Sequence, residues 1–261
     1  IYTDRLGEVL FSTDNLFDPE TGEGIVGKHY LGEGDYLFQI DNDPTSEYYG
    51  YYYYNADLNA AAYNQSAQRF YVYDYLVKAS DSGSNDYSDF LPLNSVYANN
   101  NGQTVKTYSY NGMTNYSFES KDNNNSNAQT NLWFGMSVDV QFGLPEAPGE
   151  LGADCVNGNK DIYGKDMHFH FTGDDDVWVL IDGKVVLDLG GIHQAASGDI
   201  NFATGEVRVN GSRVNELETV LKGIGAGERT LSILYLERGG SMSNCSIYFT
   251  LAPRFSLTLQ T

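Results

Sequence analysis

Residues Asp166 to Leu189 read as three β-forming runs punctuated by an acidic triplet and an Asp-Gly pair. The first run, Asp166–Phe171, alternates strictly. Met167, Phe169 and Phe171 share one face, and Asp166, His168 and His170 share the other, the period-2 pattern of a half-buried strand. Asp174, Asp175 and Asp176 follow directly, and then Val177–Ile181 and Lys184–Leu189 form two apolar runs joined at Asp182–Gly183. Asp-Gly suits a two-residue type I′ turn, which makes those runs a hairpin.

The same texture extends in both directions. Trp133–Phe142, Leu231–Leu236 and Ser246–Leu251 are further strands. Tyr48–Tyr54 followed by Arg69–Val77 reads as a tyrosine-laden strand pair, with the Ala-rich Asp57–Ala67 as a loop or one helical turn. Short patches at Val9–Phe11 and Tyr36–Ile40 add strands near the start. One helix is expected at Asn215–Leu221, where Leu217, Val220 and Leu221 make an apolar face and Gly223 ends it. Polar tracts at Ser80–Ser88, Asn99–Gly102 and Lys121–Asn131 are loops, and Pro145–Lys165 is a long one. The fold class that follows is all-β, an antiparallel β-sandwich with long loops and at most one or two short helices. None of the tracts is long enough for a domain linker and no repeat recurs, so residues 1–261 are expected to form a single domain.

Charge narrows the partners. With 35 acidic against 15 basic residues the net charge is −20, which argues against nucleic acid and anionic membrane surfaces. It suits cations and neutral sugars. No stretch reaches the roughly 18 apolar residues of a membrane span, so no direct membrane insertion is expected. The chain opens without a signal peptide and reads as an excised or processed fragment. Cys155 and Cys245 are too few for a disulfide scaffold and lack metal-site spacing. In an exported chain they would pair, closing a loop worth about 4 kcal/mol in the chain-entropy model. The alternative is two buried thiols.

Adjacent strand residues point to opposite faces, so Asp174, Asp175 and Asp176 repel one another without benefit unless a cation sits among them. Clustered oxygen ligands on a loop are what Ca²⁺ takes. A solvated acidic turn is the alternative. Other candidates carry weaker signals. Asp188 and His193 flank Gly190–Gly191, where a carboxylate and an imidazole could orient a ligand or could fix the loop. His168 and His170 have the i, i+2 spacing that suits a transition metal on one strand face, but no third ligand stands near them in sequence. A polar outer face is the simpler reading. Asn157, Asn159 and Asp161 lack the spacing of an EF-hand and read as a surface turn. The tyrosine row reads as half-buried packing with wet hydroxyls rather than a sugar platform, and Trp178, out of phase with Val177 and Val179, as packing against a sheet or loop. A glycosidase would need two carboxyls about 5–10 Å apart across a cleft, and no nucleophile–base pattern is visible. The chain is expected not to be an enzyme.

FTGDDDVWVLIDGKVVLDLGGIH (Phe171–His193), SGDINFATGEV (Ser197–Val207) and YLERGGSMSNCSIYF (Tyr235–Phe249) together resemble the fibro-slime domain of the superfamily named after the anthrax protective antigen. The likeness is to versions carried by surface proteins of Gram-positive bacteria. It weakens upstream, through FGMSVDVQFGLP (Phe134–Pro145), DFLPLN (Asp89–Asn94) and NLFDPETGEG (Asn15–Gly24). The resemblance implies a β-sandwich in which Asp174 and Asp175, joined by a cis peptide, hold Ca²⁺ with Glu237, Gly239 and Ser241 of a second loop. In adhesive members the ion binds sugar hydroxyls. The implied function is a Ca²⁺-dependent carbohydrate-binding adhesin domain, with Asp176, Asp188 and His193 as further ligand contacts. Its partner would be a glycan on a host cell, mucin or neighbouring microbe. The module would be a monomeric part of a larger protein on the bacterial cell surface, with Cys155 bridged to Cys245 beside the ion loops. A structural surface or matrix module with a purely structural Ca²⁺, or a protein-binding adhesin, is the alternative.

Overall fold

The computed structural model describes residues 25–26, 37–64, 69–74, 90, 92, 106–110, 113–117, 133–150, 158–161, 163–191, 193–238 and 243–250. The expected strand at Val9–Phe11 and all three polar tracts lie outside them. The architecture is all-β and mostly antiparallel, as the alternation requires.

One sheet has eight strands. Its order is β1 (Ile25–Val26), β2 (Gln39–Ile40), β3 (Tyr52–Asn55), β16 (Cys245–Phe249), β9 (His168–Gly173), β12 (Ala196–Asn201), β13 (Glu206–Val209) and β14 (Ser212–Arg213). All its neighbours are antiparallel except β1 and β2, which are parallel. The second sheet runs β11 (Lys184–Leu189), β10 (Asp176–Ile181), β15 (Gly227–Arg238) and β8 (Trp133–Leu144). Two separate hairpins are formed by β4 (Asn59–Asn64) with β5 (Arg69–Asp74), and by β6 (Lys106–Tyr110) with β7 (Met113–Ser117).

The core lies where the alternating faces place it. Phe169 and Phe171 of β9, Ile247 and Phe249 of β16 and Ile200 of β12 are fully buried, as are Val177, Val179 and Ile181 of β10 and Leu231 and Ile233 of β15. Phe142 of β8 meets Phe202 edge-on, ring centroids 5.7 Å apart. Asp182 and Gly183 have φ of 49° and 77°, as a type I′ turn demands. Asn210 and Gly211, at 50° and 76°, make the same turn between β13 and β14. That Asn-Gly signal stood in the sequence, yet β12, β13 and β14 were not anticipated.

Within the Ala-rich segment Asp57 and Leu58 do form a turn, but Asn59–Asn64 is the strand β4 rather than a loop or helical turn, registered with Ala60 opposite Tyr73 and Ala62 opposite Tyr71. Alanine's local preference is for helix, and pairing with an available partner strand overrides it here. Accordingly β3 does not pair with β5. It lies between β2 and β16. Its tyrosines are also drier than expected. Tyr53 and Tyr54, 2% and 1% exposed, donate internally to Gln39 Oε1 at 3.0 Å and to the Asn59 carbonyl at 3.2 Å.

The expected helix is α1 (Asn215–Lys222). It is tied down by Glu218, 4% exposed. The Glu218 carboxylate accepts from Arg213 Nε at 2.7 Å and Nη2 at 2.6 Å, from Lys222 Nζ at 3.3 Å and from the Val207 N–H at 3.4 Å. Arg213 foremost holds this carboxyl down, at about 2 against an ordinary 4.5. A depressed acid stabilises the fold above its ordinary pKa and loses that contribution as pH falls through its folded value. Urea melts should therefore show the wild type weakening between about pH 4.5 and 2. Glu218→Gln should be weaker at pH 7 by about 1–3 kcal/mol and should show a shallower decline below pH 4.5. Parallel wild-type and variant curves across that window would remove Glu218 from the account.

Candidate functional site

The acidic triplet sits where the chain changes sheets. Strand β9 ends at Gly173 in the eight-stranded sheet, and β10 begins at Asp176 in the four-stranded one. Strand β15 ends at Arg238 in the latter and β16 starts at Cys245 in the former. Because β9 pairs with β16 (Gly173 opposite Cys245) and β10 with β15 (Asp176 opposite Leu236), the strand ends that open and close the two crossovers lie side by side. That register brings Asp174 and Asp175 to residues some sixty to seventy positions later.

Gly173 belongs to this approach. A Cβ there would stand 2.2 Å from the Asn244 carbonyl oxygen, so only glycine lets the second crossover come this close. Asp174 Oδ1 accepts the Asn244 N–H at 2.7 Å. Asp175, 6% exposed, accepts the Tyr235 hydroxyl, and its Oδ2 lies 3.3 Å from Ser243 Oγ. Tyr235 Oη and Ser243 Oγ are 3.0 Å apart, and Ser243 Oγ donates to the Phe90 carbonyl at 2.8 Å. The Asp175 carboxyl is also in hydrogen-bond contact with that of Glu237, itself 2% exposed. Burial first, then Glu237 and Asp174, push Asp175 up to about 10, with the Tyr235 hydroxyl acting in the opposite sense. Burial and Asp175 likewise drive the Tyr235 phenol well above its ordinary value.

Asp176 has a different employment. Its Oδ1 accepts Arg238 Nη2 at 2.8 Å and the Gly191 N–H at 3.0 Å, and its Oδ2 meets Arg238 Nε. The same Nη2 donates to the Gly191 carbonyl at 2.8 Å. This two-point clamp fastens the Gly190–Gly191 turn to β10 and β15, and it leaves Asp176 neutralised by Arg238. Trp178 covers Gly190, where a Cβ would come within 2.2 Å of the indole. Asp188 Oδ1 accepts the Gly190 N–H at 2.9 Å. His193 Nε2 and Nδ1 each lie 2.7 Å from a backbone carbonyl, those of Leu189 and Gln194. Asp188 and His193 thus face their own loop.

Of the expected ion ligands, the structure brings Asp174, Asp175 and Glu237 into one neighbourhood, and Gly239 and Ser241 lie outside the described residues. Among the described residues no three His, Cys, Asp or Glu side chains form a ready metal cluster, which corrects the expectation of a built multi-carboxylate Ca²⁺ site. Every described peptide bond is trans, so the cis bond expected between Asp174 and Asp175 is not formed. The disulfide is corrected as well. Cys245 is a free thiol, 2% exposed, and Cys155 lies outside the described residues. Burial, with Asp175 and Asp174 nearby, raises the Cys245 thiol well above its ordinary value. Sequence reasoning missed Tyr235, Ser243 and Arg238, whose only signal was their place at the ends of β15 and β16. It also misread Asn159 as a surface turn residue. Asn159 is 2% exposed and donates from Nδ2 to the Glu146 and Phe202 carbonyls, both at 3.1 Å. Asp161 does form a turn, accepting the Tyr163 and Lys165 N–H groups at 2.8 and 2.9 Å.

No family model matches the chain, and no solved structure matches it. The relatives found are proteins of Dictyostelium discoideum. Protein psiF is 25% identical over 248 residues, which is 90% of this chain and 30% of psiF. Protein psiG is 55% identical over 42 residues, covering 16% of this chain and 6% of psiG. Protein psiD is 39% identical over 81 residues, covering 28% of this chain and 16% of psiD. The chain thus spans less than a third of the length of these curated relatives. Dictyostelium is a eukaryote, and this overturns both the bacterial cell-surface location and the bacterial Ca²⁺-dependent carbohydrate-binding adhesin reading. The fibro-slime assignment falls with them, having no family model behind it. What the chain is similar to, over nine-tenths of its length, is one portion of the Dictyostelium protein psiF.

Proposed function

We propose that this chain is a non-catalytic β-sandwich module whose crossover end takes up Ca²⁺ between the two buried carboxyls of Asp175 and Glu237. The single observation that carries the reading is the contact between two carboxyls that are 6% and 2% exposed. Two buried acids in contact cannot both be ionised without a counter-charge; they hold a proton or a cation. The donors are all oxygen, which suits a hard cation, and a chain of net charge −20 attracts one. Catalysis is disfavoured by the inward engagement of Asp174, Asp175 and Asp176, which ties these carboxyls to their own crossover rather than presenting them across a cleft as a glycosidase requires. In this reading Ca²⁺ ties the β9–β10 crossover to the end of β15, and its role is to rigidify that end.

Calorimetric melting of EDTA-stripped protein with and without Ca²⁺ tests the proposal. At a hundredfold excess over the dissociation constant the ion should add about 2.7 kcal/mol, raising Tm by several degrees. Asp175→Asn should abolish the rise while the protein stays folded, and Asp161→Ala should leave it intact. A wild-type Tm that ignores both Ca²⁺ and EDTA, with no heat on titration, would exclude the ion.

A further inference from the structure

Asn210, at the tip of the β13–β14 turn, belongs to a triplet that the crossover end does not use. Asn210–Gly211–Ser212 has the form Asn-x-Ser, the acceptor signal for an N-linked glycan. Five such triplets occur, beginning at Asn64, Asn115, Asn124, Asn210 and Asn244. Only the last two have all three side chains among the described residues, and the fold treats them differently. We infer that Asn210 is the attachment site of an N-linked oligosaccharide and that Asn244 is not.

The geometry of the two positions carries this. Asn210, Gly211 and Ser212 are all exposed, and a Cβ on Gly211 would meet nothing within 4 Å. The tip is also well held. The Asn210 N–H donates to the Ser197 carbonyl at 2.8 Å, and Asn210 Oδ1 accepts the Ser197 N–H at 2.9 Å. Arg208 Nη1 donates to the Gly211 carbonyl at 3.1 Å. With Oδ1 engaged by β12, the other corner of the carboxamide, Nδ2, is the one left for attachment. A glycan there costs the turn none of these bonds. Asn244 lies inside the crossover instead. Its N–H donates to Asp174 Oδ1 at 2.7 Å, and Ser243 and Cys245 on either side are 0% and 2% exposed. A bulky surface modification suits the first setting and not the second.

In the transfer, Asn210 Nδ2 displaces the lipid diphosphate from the anomeric carbon of a polyprenyl-diphosphate-linked oligosaccharide. The C–N bond forms, the C–O bond to the diphosphate breaks, and an Nδ2 proton passes to a base of the transferase. Ser212 supplies the hydroxyl that completes the acceptor signal. The glycan flanks β14, the last strand in the order of the eight-stranded sheet. Bulk at such an edge hinders pairing with another chain.

The test is expression of the chain behind a cleavable secretory leader in Dictyostelium cells, read by peptide mass spectrometry. An amidase that releases N-linked glycans leaves Asp where a glycosylated Asn stood. After release, the peptide carrying position 210 should read Asp and the peptide carrying position 244 should read Asn. The untreated sample should show the position-210 peptide with its sugar attached, which separates glycan release from spontaneous Asn-Gly deamidation. Ser212→Ala should abolish the modification at Asn210, and Ser212→Thr should retain it. Position 212 is exposed, so both variants should melt with the wild type. None of these readouts involves Ca²⁺, so failure here is distinct from failure of the Ca²⁺ reading. An unmodified Asn210 in chain recovered from both medium and cells overturns the inference, as does modification that persists in Ser212→Ala.

Discussion

Arg238→Ala is expected to be among the most damaging single substitutions at the crossover end, costing about 3 kcal/mol or more. Arg238 holds Asp176, 3% exposed, through Nε and Nη2, and through the same Nη2 holds the Gly191 carbonyl. Removing one partner of a buried pair leaves the other as an uncompensated charge, and that loss, rather than the net worth of the pair, is typically about 3–5 kcal/mol. The quarter exposure of the Arg238 side chain places the expectation at the lower end of that range. Lysine should rescue little, because a point charge cannot reproduce the two-point geometry that also binds the turn. Asp176→Asn combined with Arg238→Gln should recover a substantial part of the loss, since it deletes both charges. Chemical denaturation of the single and double variants measures this. Additive losses in the double variant would mean that the two side chains do not act as a unit.

Phe169→Ala should cost about 3–5 kcal/mol, the range for emptying an aromatic site in a closed core. Phe169 is fully buried on β9, opposite Phe249 of β16 and Ile200 of β12, both also fully buried. With a Tm shift of about 2–4 °C per kcal/mol for a chain of this size, the melting temperature should fall by roughly 10 °C. Lys184→Ala, at an exposed position beside the type I′ turn, should change stability by about 0.5 kcal/mol or less. A Phe169 variant as stable as the Lys184 variant would show that the β9 face is not part of the core.

Period-2 alternation made β9 legible, because a strand between core and solvent must send every second side chain inward. Met167, Phe169 and Phe171 are buried as that rule required, with His168 and His170 on the other side. The Asp182–Gly183 hairpin was legible for a similarly local reason: two consecutive positive φ values select those residue types. Where tertiary pairing overrode local preference, legibility ended. Alanines 60–62 became strand because β5 lay alongside them. The family resemblance led to a β-sandwich that the structure bears out and to a bacterial adhesin that the Dictyostelium relatives overturn. A fold can be inferred from patterns that many unrelated functions share.

The amino-acid sequence by itself therefore determined the all-β class, the inward faces, the tight turns and the single described helix, all set by interactions a few residues long. Tertiary structure decided which acids share a site. Asp174, Asp175 and Asp176 are neighbours in the chain, yet Asp176 is clamped by Arg238 while Asp175 meets Tyr235, Ser243 and Glu237. His168 and His170 acquire Asp199 in the same way. Those partners lie between about thirty and seventy residues away, and only strand register, a property of the assembled sheets, fixes which side chains meet.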